Sequence, residues 1–95
     1  MFARVTKFKM KADAVTAAVA KMEELKPQIM ALDGLHQFIN VMQSDGSGYI
    51  ISVVESEEKS NANASHVAAL WGQMAEFLEG PPEPVGHNVM ANWTT

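Results

Sequence analysis

The sequence predicts an α+β fold in which two interlocked strand–helix–strand units share one antiparallel sheet. Three observations support this prediction. Two are the order strand, helix, strand, strand, helix, strand along the chain and the tight Asp45-Gly46-Ser47-Gly48 turn between its halves. A third is the length of 95 residues, which suits one domain. Right-handed crossovers then place the first and third strands at the centre and both helices on one face. Residues 1–95 are therefore expected to form a single ferredoxin-like domain.

The first strand is predicted from Met1 to about Lys9, because apolar and polar side chains alternate there. One face of this strand carries Phe2, Arg4, Thr6 and Phe8. A cation among aromatic side chains on a central strand is unusual, since a buried charge requires a partner. Arg4 therefore either pairs with a carboxylate such as Glu55 or binds an anionic or carbonyl oxygen of a ligand.

The first helix is predicted to follow Asp13, whose carboxylate can cap the unpaired N–H groups of a first turn. Apolar residues at helical spacing define its buried side: Val15, Ala18, Val19, Met22 and Leu25. Pro27 either kinks the helix or begins a last turn. Gly34 closes this segment, as glycine often does just past a helix.

The second strand is predicted from Leu35 to Ser44 and the third from Tyr49 to Ser56, because both segments are rich in branched and aromatic residues. The glycine-containing turn between them indicates a hairpin. Asn40 and Ser52 interrupt the apolar faces of these strands. A wet pocket and a structural hydrogen-bond network would each explain such polar residues.

The second helix is predicted to open at the polar segment that begins with Ser56. Its apolar stripe consists of Val67, Leu70, Trp71, Met74 and Leu78. Gly80 ends the helix, and the prolines that follow prevent its continuation. The last strand is predicted from Val85 to Trp93, with Trp93 as a candidate for a subunit interface.

The composition argues against several classes of function. A net charge of −4 disfavours nucleic-acid binding, which needs clustered Lys and Arg. Without cysteine the chain has neither disulfides nor thiolate metal ligands. No apolar segment is long enough to span a membrane. The N-terminal residues alternate as in a strand and not as in a signal peptide, so the expected compartment is the cytoplasm.

The uncovered face of the predicted sheet points to self-association. With both helices on one side, large apolar side chains on the other side would remain in water, and burying each is worth roughly 1.5–3 kcal/mol. An apolar patch of that size usually marks an interface. The expected assembly is a homodimer that packs sheet against sheet.

The three histidines are separated widely along the chain. His66 lies near the start of the second helix, on the edge of its apolar stripe, where an imidazole facing a cavity could accept a phenolic proton. The alternative is a partly exposed helix histidine without a role. His36 and His87 lie at strand starts and form no metal motif, so hydrogen bonding at strand ends or at an interface is the simplest role for them.

Several segments together resemble the antibiotic biosynthesis monooxygenase-like family. They are the opening Phe2-Ala-Arg-Val-Thr-Lys-Phe-Lys, Gly34 before the second strand, and Val53-Val54-Glu55-Ser56-Glu57-Glu58 before the second helix. The resemblance covers nearly the whole chain. It implies a dimeric α+β barrel formed by two sheets, with a ligand cavity in each subunit between the sheet and the helices.

The resemblance also implies candidate activities. Some members oxygenate quinol-like or polyphenolic substrates with molecular oxygen and no cofactor, and others degrade haem. Haem-degrading members carry Asn, Trp and His where this sequence has Thr6, Asn63 and a residue near Gln73, so haem degradation is not expected. Val54-Glu55 stand where a Trp is common at the end of the third strand, which weakens the monooxygenase interpretation.

Two hypotheses follow from these patterns. The first is a cofactor-free monooxygenase that binds a small, flat, largely apolar molecule, with His66 and Arg4 as the candidate catalytic residues. The candidate substrate-binding residues are Thr6, Phe8, Phe38, Asn40, Ser52 and Trp71. The second is a non-catalytic, small-molecule-binding or stress-related homodimer of the same fold.

Overall fold

The computed structural model describes all residues from 1 to 95 and contains one four-stranded antiparallel sheet. Its strands are β1 (Phe2–Lys9), β2 (Leu35–Met42), β3 (Ser47–Val54) and β4 (Glu83–Asn88). Its α-helices are α1 (Val15–Met30), α2 (Glu57–Ala62) and α3 (Ala64–Met74), and a 3-10 turn spans Ala75–Phe77. The strand order is β2-β3-β1-β4, with β1 and β3 at the centre. The ferredoxin-like arrangement predicted from the sequence is therefore confirmed.

The hydrophobic core lies between one face of the sheet and the helices. Its buried members come from the strands, α1, α3 and the segments that flank them: Phe8, Met10, Ala18, Leu25, Ile29, Ile50, Met74 and Leu78. Alternation along β1 turns the even-numbered side chains toward this core, and their partners on β3 face the same way. This packing places the polar side chains of the two central strands beneath the helices.

The start of α1 differs from the prediction. The N-cap position is occupied by Ala14, and no side chain caps the helix. Asp13 lies in the preceding turn, where the Ala14 N–H donates to the Lys11 carbonyl at 3.0 Å. The predicted Asp13 cap was wrong because the helix begins one residue later. Pro27 lies within α1, which continues to Met30.

The hairpin turn lies about two residues earlier than the sequence predicts. Gly46 has a φ of +91°, which favours glycine, and a Cβ at this position would collide with the Met10 carbonyl oxygen. Ser47 and Gly48 belong to β3, because they pair with Lys9 and Phe8 of β1. The cross-strand pairing with β1 thus extends β3 into the predicted turn.

The predicted second helix is divided in two at Asn63. Ser56 caps α2, since its Oγ accepts a hydrogen bond from the Lys59 N–H at 3.1 Å. Asn63 is buried, and its Nδ2 donates to the Asp33 carbonyl at 2.8 Å. This bond ties the α2–α3 junction to the loop before β2.

The last strand is shorter than predicted and begins earlier. Asn88 pairs with Phe2, the first residue of β1, so the residues beyond Asn88 have no strand to pair with. The predicted extension to Trp93 was wrong for this reason, and Trp93 is 93 % exposed. Pro84 lies within β4, where the edge position tolerates a residue without an N–H. None of the helices combines the length and apolar character needed to cross a bilayer.

Candidate functional site

A cavity of about 60 Å³ lies between the sheet and helices α1 and α3, and ten of its 13 lining residues are hydrophobic. The sheet contributes its floor: Arg4, Thr6, Phe38, Ile50 and Ser52. Helix α1 contributes Met22, Leu25 and Ile29, and α3 contributes Val67, Leu70, Trp71 and Met74. Val67, Leu70 and Trp71 are half-buried.

The polar part of the lining is confined to the two central strands. Arg4 of β1 and Ser52 of β3 are direct cross-strand partners, and Thr6 is the next residue of β1 on the same face. Thr6 is only 3 % exposed. Its hydroxyl makes no hydrogen bond to another protein group. Because no fully enclosed side-chain N or O atom lacks a partner, this hydroxyl opens into the cavity.

Arg4 is held by a hydroxyl and not by a carboxylate. Its Nη2 donates to the Oγ of Ser60 at 3.0 Å, and Ser60 is a buried residue of α2. The ion pairs of the chain are Lys9–Asp45, Lys21–Glu24 and Lys59–Asp33. The pair with Glu55 that the sequence left open is therefore not formed. The remaining N–H donors of the guanidinium are free of protein acceptors.

A larger groove adjoins the cavity. It encloses about 460 Å³, within the range typical of ligand pockets. Arg4, Val67 and Trp71 line both spaces, so the groove and the cavity meet at these three side chains. One wall is the face of α3 and the following turn that carries small residues: Ala64, Ala68, Gly72 and Ala75. The opposite wall is formed by Gly80, Pro81 and Pro82 of the loop that leads into β4 and by Pro84 of β4 itself.

Most of the predicted site residues meet in this region. Those that line the cavity are Arg4, Thr6, Phe38, Ser52 and Trp71. Phe8 lies behind the cavity, with its ring centroid 6.1 Å from that of Trp71 and the two rings tilted by 47°. This aromatic pair fixes the inner side of the Trp71 indole, while the indole remains in contact with both spaces.

The other two predicted residues lie outside both spaces. Asn40 is exposed, and its Nδ2 lies 3.1 Å from the Sδ of Met22, a residue that lines the cavity. His66 is exposed on α3 and lines neither the cavity nor the groove. The structure therefore does not bring the imidazole of His66 to the guanidinium of Arg4.

Sequence reasoning did not identify Ser60 as the partner of Arg4. The available signal was its position four residues after the cap Ser56, which places it in the first turn of α2. That spacing places Ser60 in the first turn of α2, but it does not show which strand residue Ser60 contacts. The contact depends on the packing of α2 against β1, and 56 residues separate Arg4 from Ser60.

The ionisable groups with shifted pKa values lie away from the cavity. The hydrogen bond and charge of Asp33, 2.7 Å away, raise the pKa of Lys59. Hydrogen bonds from Ser47, with the charge of Lys9, lower the pKa of Asp45. Neither group lines the cavity, where Arg4 is the only charged residue. No cluster of three or more His, Asp or Glu side chains is arranged to hold a metal ion.

Comparisons with known proteins identify the fold. No family model matches the chain, and no curated protein matches its sequence. A candidate antibiotic biosynthesis monooxygenase from Nitrosomonas europaea superposes with a TM-score of 0.79 at 14 % identity, over 96 % of this chain and 100 % of that chain. A protein of unknown function from the same organism superposes with a TM-score of 0.81 at 17 % identity, over 99 % of this chain and 93 % of that chain. A protein from Mycobacterium tuberculosis superposes with a TM-score of 0.75 at 18 % identity, over 98 % of each chain. The chain thus shares the ferredoxin-like fold of these structures.

Proposed function

We propose that this protein binds a small, flat, largely apolar molecule of quinol type where the cavity between sheet and helices opens into the groove, and that it oxygenates this molecule with molecular oxygen, without a cofactor. One observation carries the proposal: the cavity is apolar except for Arg4, Thr6 and Ser52, which converge on its floor. Apolar walls with a few convergent polar groups are typical of small-molecule sites. The fold shared with candidate monooxygenases supports the choice of reaction.

Arg4 and Trp71 are the residues that would prepare the substrate. The indole of Trp71 offers a flat apolar surface at the junction of cavity and groove, and an aromatic ring can stack there. The guanidinium of Arg4 lies at the same junction. A fixed positive charge beside a phenol favours the phenolate, which is the electron-rich form that reacts with oxygen. The phenolic proton leaves to water in the groove, since Arg4 is the only charged residue that lines either space.

The proposed reaction balances without any further reagent. A hydroquinone and one molecule of oxygen give a hydroxyquinone and one molecule of water. One oxygen atom forms a new bond to a ring carbon, and the other leaves as water. The quinol supplies all four electrons that oxygen takes up. Two hydroxyl hydrogens and one ring hydrogen are displaced, of which two leave in the water and one remains on the new hydroxyl group.

Oxygen uptake with a panel of hydroquinones tests this proposal. Arg4→Met should lower the rate on the order of 100-fold, as the loss of a charge-stabilising donor does in other enzymes. The matched control is Lys26→Met, which removes an exposed cation from α1 and should leave the rate unchanged. His66→Ala, measured alongside, should also leave the rate unchanged, because His66 lines neither space. The oxygenase proposal fails if the native protein consumes no more oxygen than Arg4→Met.

A second candidate function is binding without turnover. The observation that favours it is the absence of His, Asp, Glu and Tyr from the lining of both spaces, so neither contains a side chain suited to act as a base. A ligand-dependent rise in melting temperature without consumption of oxygen or quinol would support this function over the first.

We also propose that the protein is a homodimer in which two sheets pack face to face. The sheet face opposite the helices carries four exposed apolar side chains, Ile39, Val41, Tyr49 and Val85, with exposures of 37–54 %. Val5 and Ile51 lie between them at the centre and are half-buried. A second copy would cover this apolar surface. The exposed Trp93 beyond β4 would then contact the partner subunit.

A further inference from the structure

We infer that the natural ligand is an aromatic carboxylate, with its carboxylate group in the cavity and its ring in the outer groove. This inference rests on the proposed function, because it names the class of molecule that the same site accepts. It is carried by the sizes of the two spaces, by the polar groups of the cavity floor and by the unpaired charge of Arg4.

The volumes of the cavity and of the groove indicate where each part of the ligand binds. An apolar protein cavity that holds benzene has a volume of about 150 Å³, and one water occupies about 30 Å³ of liquid. The inner cavity, at about 60 Å³, is therefore too small for an aromatic ring and large enough for a carboxylate group. The groove, at about 460 Å³, accommodates a ring. Arg4 and Trp71 lie where the two parts of such a ligand would join.

The floor of the cavity supplies donors that suit a carboxylate. Arg4 uses one donor on Ser60 and retains others, and planar guanidinium groups bind carboxylates through paired hydrogen bonds. Thr6 contributes a hydroxyl that has no protein partner although the residue is almost fully buried. Ser52, the direct cross-strand partner of Arg4, contributes a second hydroxyl. Together they could satisfy both oxygens of one carboxylate group.

The unpaired charge of Arg4 makes the site favour a carboxylate over a neutral ligand. Arg4 is half-buried among apolar side chains, and no carboxylate of the chain pairs with it. A neutral molecule that excluded water from the site would leave this cation desolvated and uncompensated, which is costly. A carboxylate removes that cost when it binds. The site therefore favours an acid over its neutral amide.

The wall of the groove leaves room for the aromatic ring of the ligand. Ala68 and Gly72 leave room beside the Trp71 indole, and a Cβ added at Gly72 would meet no atom within 4 Å. This open strip beside a half-buried indole matches the flat face of an aromatic ring.

Calorimetric titration with benzoate and its neutral isostere benzamide tests the carboxylate. Benzoate should bind at least about tenfold more tightly than benzamide to the native protein, a ratio typical of one charge-assisted contact. Arg4→Met should abolish this preference, and Thr6→Val should reduce it. Equal binding of acid and amide, or a preference for the acid that survives in Arg4→Met, would overturn the inference.

The position of the ring is tested by filling the groove. Gly72→Phe should abolish benzoate binding, because the new side chain occupies the open strip. The matched control is Ala69→Phe, which places the same bulk on the exposed side of α3 and lines neither space. Circular dichroism establishes that both variants are folded. Native affinity in folded Gly72→Phe would show that the ring lies elsewhere and would contradict the inference.

Titration with hydroquinone separates this inference from the proposed function. If hydroquinone binds and benzoate does not, the carboxylate inference fails while the quinol site stands. If benzoate binds and 2,5-dihydroxybenzoate is not oxygenated, the inference stands and the oxygenase reaction fails. If no aromatic compound binds, both fail.

Discussion

The hydroxyl group of Thr6 contributes to ligand binding and not to the stability of the fold. Thr6 is the most buried polar residue of the chain, yet its hydroxyl has no partner within the protein. Because the hydroxyl opens into the cavity, it forms no hydrogen bond that stabilises the fold. Valine has nearly the same shape and would place a methyl group in the apolar lining at this position on β1. We therefore attribute the threonine at this position to ligand binding in the cavity and not to packing of the core.

The variant Thr6→Val should be more stable than the native protein and poorer at binding. We expect the free energy of unfolding to rise by up to about 1 kcal/mol, because a methyl group in the apolar lining replaces a hydroxyl that has no protein partner. Urea denaturation measures this change. A loss of stability in Thr6→Val would mean that the hydroxyl makes a stabilising hydrogen bond, in contradiction to its role in the site.

Asp45 should make the stability of the protein depend on pH in acid. Hydrogen bonds from Ser47 and the charge of Lys9 lower its pKa below the ordinary value of 3.8 in the folded state. The stabilisation is thus complete above pH 3.8 and is lost as the pH falls through the lower, folded-state pKa. Urea denaturation from pH 5 to pH 2 should show the native protein losing its advantage over Asp45→Asn, as expected for a carboxylate.

The cause of this pH dependence can be tested separately at Ser47. Its Oγ donates to the Asp45 Oδ1 at 2.6 Å, and its N–H donates to the same oxygen at 3.0 Å. Ser47→Ala removes the first bond and keeps the second, so it should weaken the acid dependence without abolishing it. An unchanged acid dependence in Ser47→Ala would exclude the hydroxyl as its main source.

At the scale of elements, two glycines should respond in opposite ways to the same substitution. Gly46 in the hairpin turn has a positive φ and lies against the Met10 carbonyl, so Gly46→Ala should destabilise the protein by about 2–3 kcal/mol. Gly72 lies in α3 with open space at its Cβ position, so Gly72→Ala should stabilise it by about 1 kcal/mol. Thermal denaturation of the two variants side by side measures the contrast. Equal effects would contradict the turn geometry.

The elements themselves could be predicted because their signals are local. Alternation along β1 and helical spacing along α1 are properties of neighbouring residues, so both elements were identified correctly. The ends of β3 and β4 could not be located in this way, because each strand stops where its partner strand stops. The break at Asn63 depends on a hydrogen bond to Asp33, which is distant in sequence.

The same distinction applies to the site. Arg4, Thr6 and Ser52 were identified as candidates because polar residues interrupt an apolar face. Ser60 escaped prediction because its contact with Arg4 requires the helix to be docked on the sheet. The spacing of His66 on the second helix was consistent with the edge of the apolar stripe, but spacing does not determine where the stripe meets the cavity.

At the scale of the whole molecule, the uncovered sheet face should control assembly. Ile51 lies at the centre of that face on β3, flanked by Val5 and Ile39 on the neighbouring strands. Replacing Ile51 with Lys would place a charge in the proposed interface, where its desolvation is costly. We expect sedimentation velocity to show a dimer for the native protein and a monomer for Ile51→Lys.

The control for this experiment is Val19→Lys. The sequence pattern placed Val19 on the buried side of α1, but this prediction was wrong, since Val19 is 56 % exposed. It lies on the side of the molecule away from the open sheet face, so the same charge should leave the dimer intact. A native protein that sediments as a monomer, or an Ile51→Lys variant that remains a dimer, would contradict face-to-face association.

The central position of β1 has a consequence for how the chain folds during synthesis. β1 pairs with β3 and with β4, and the Phe2–Asn88 pair joins residues that are made far apart in time. A ribosome adds roughly 5–20 residues per second, so β1 waits several seconds before its second neighbour emerges. Its apolar side chains remain without a complete sheet during that interval. Formation of the β2–β3 hairpin, whose pairing is local, is therefore the natural first event, and the docking of β4 completes the fold.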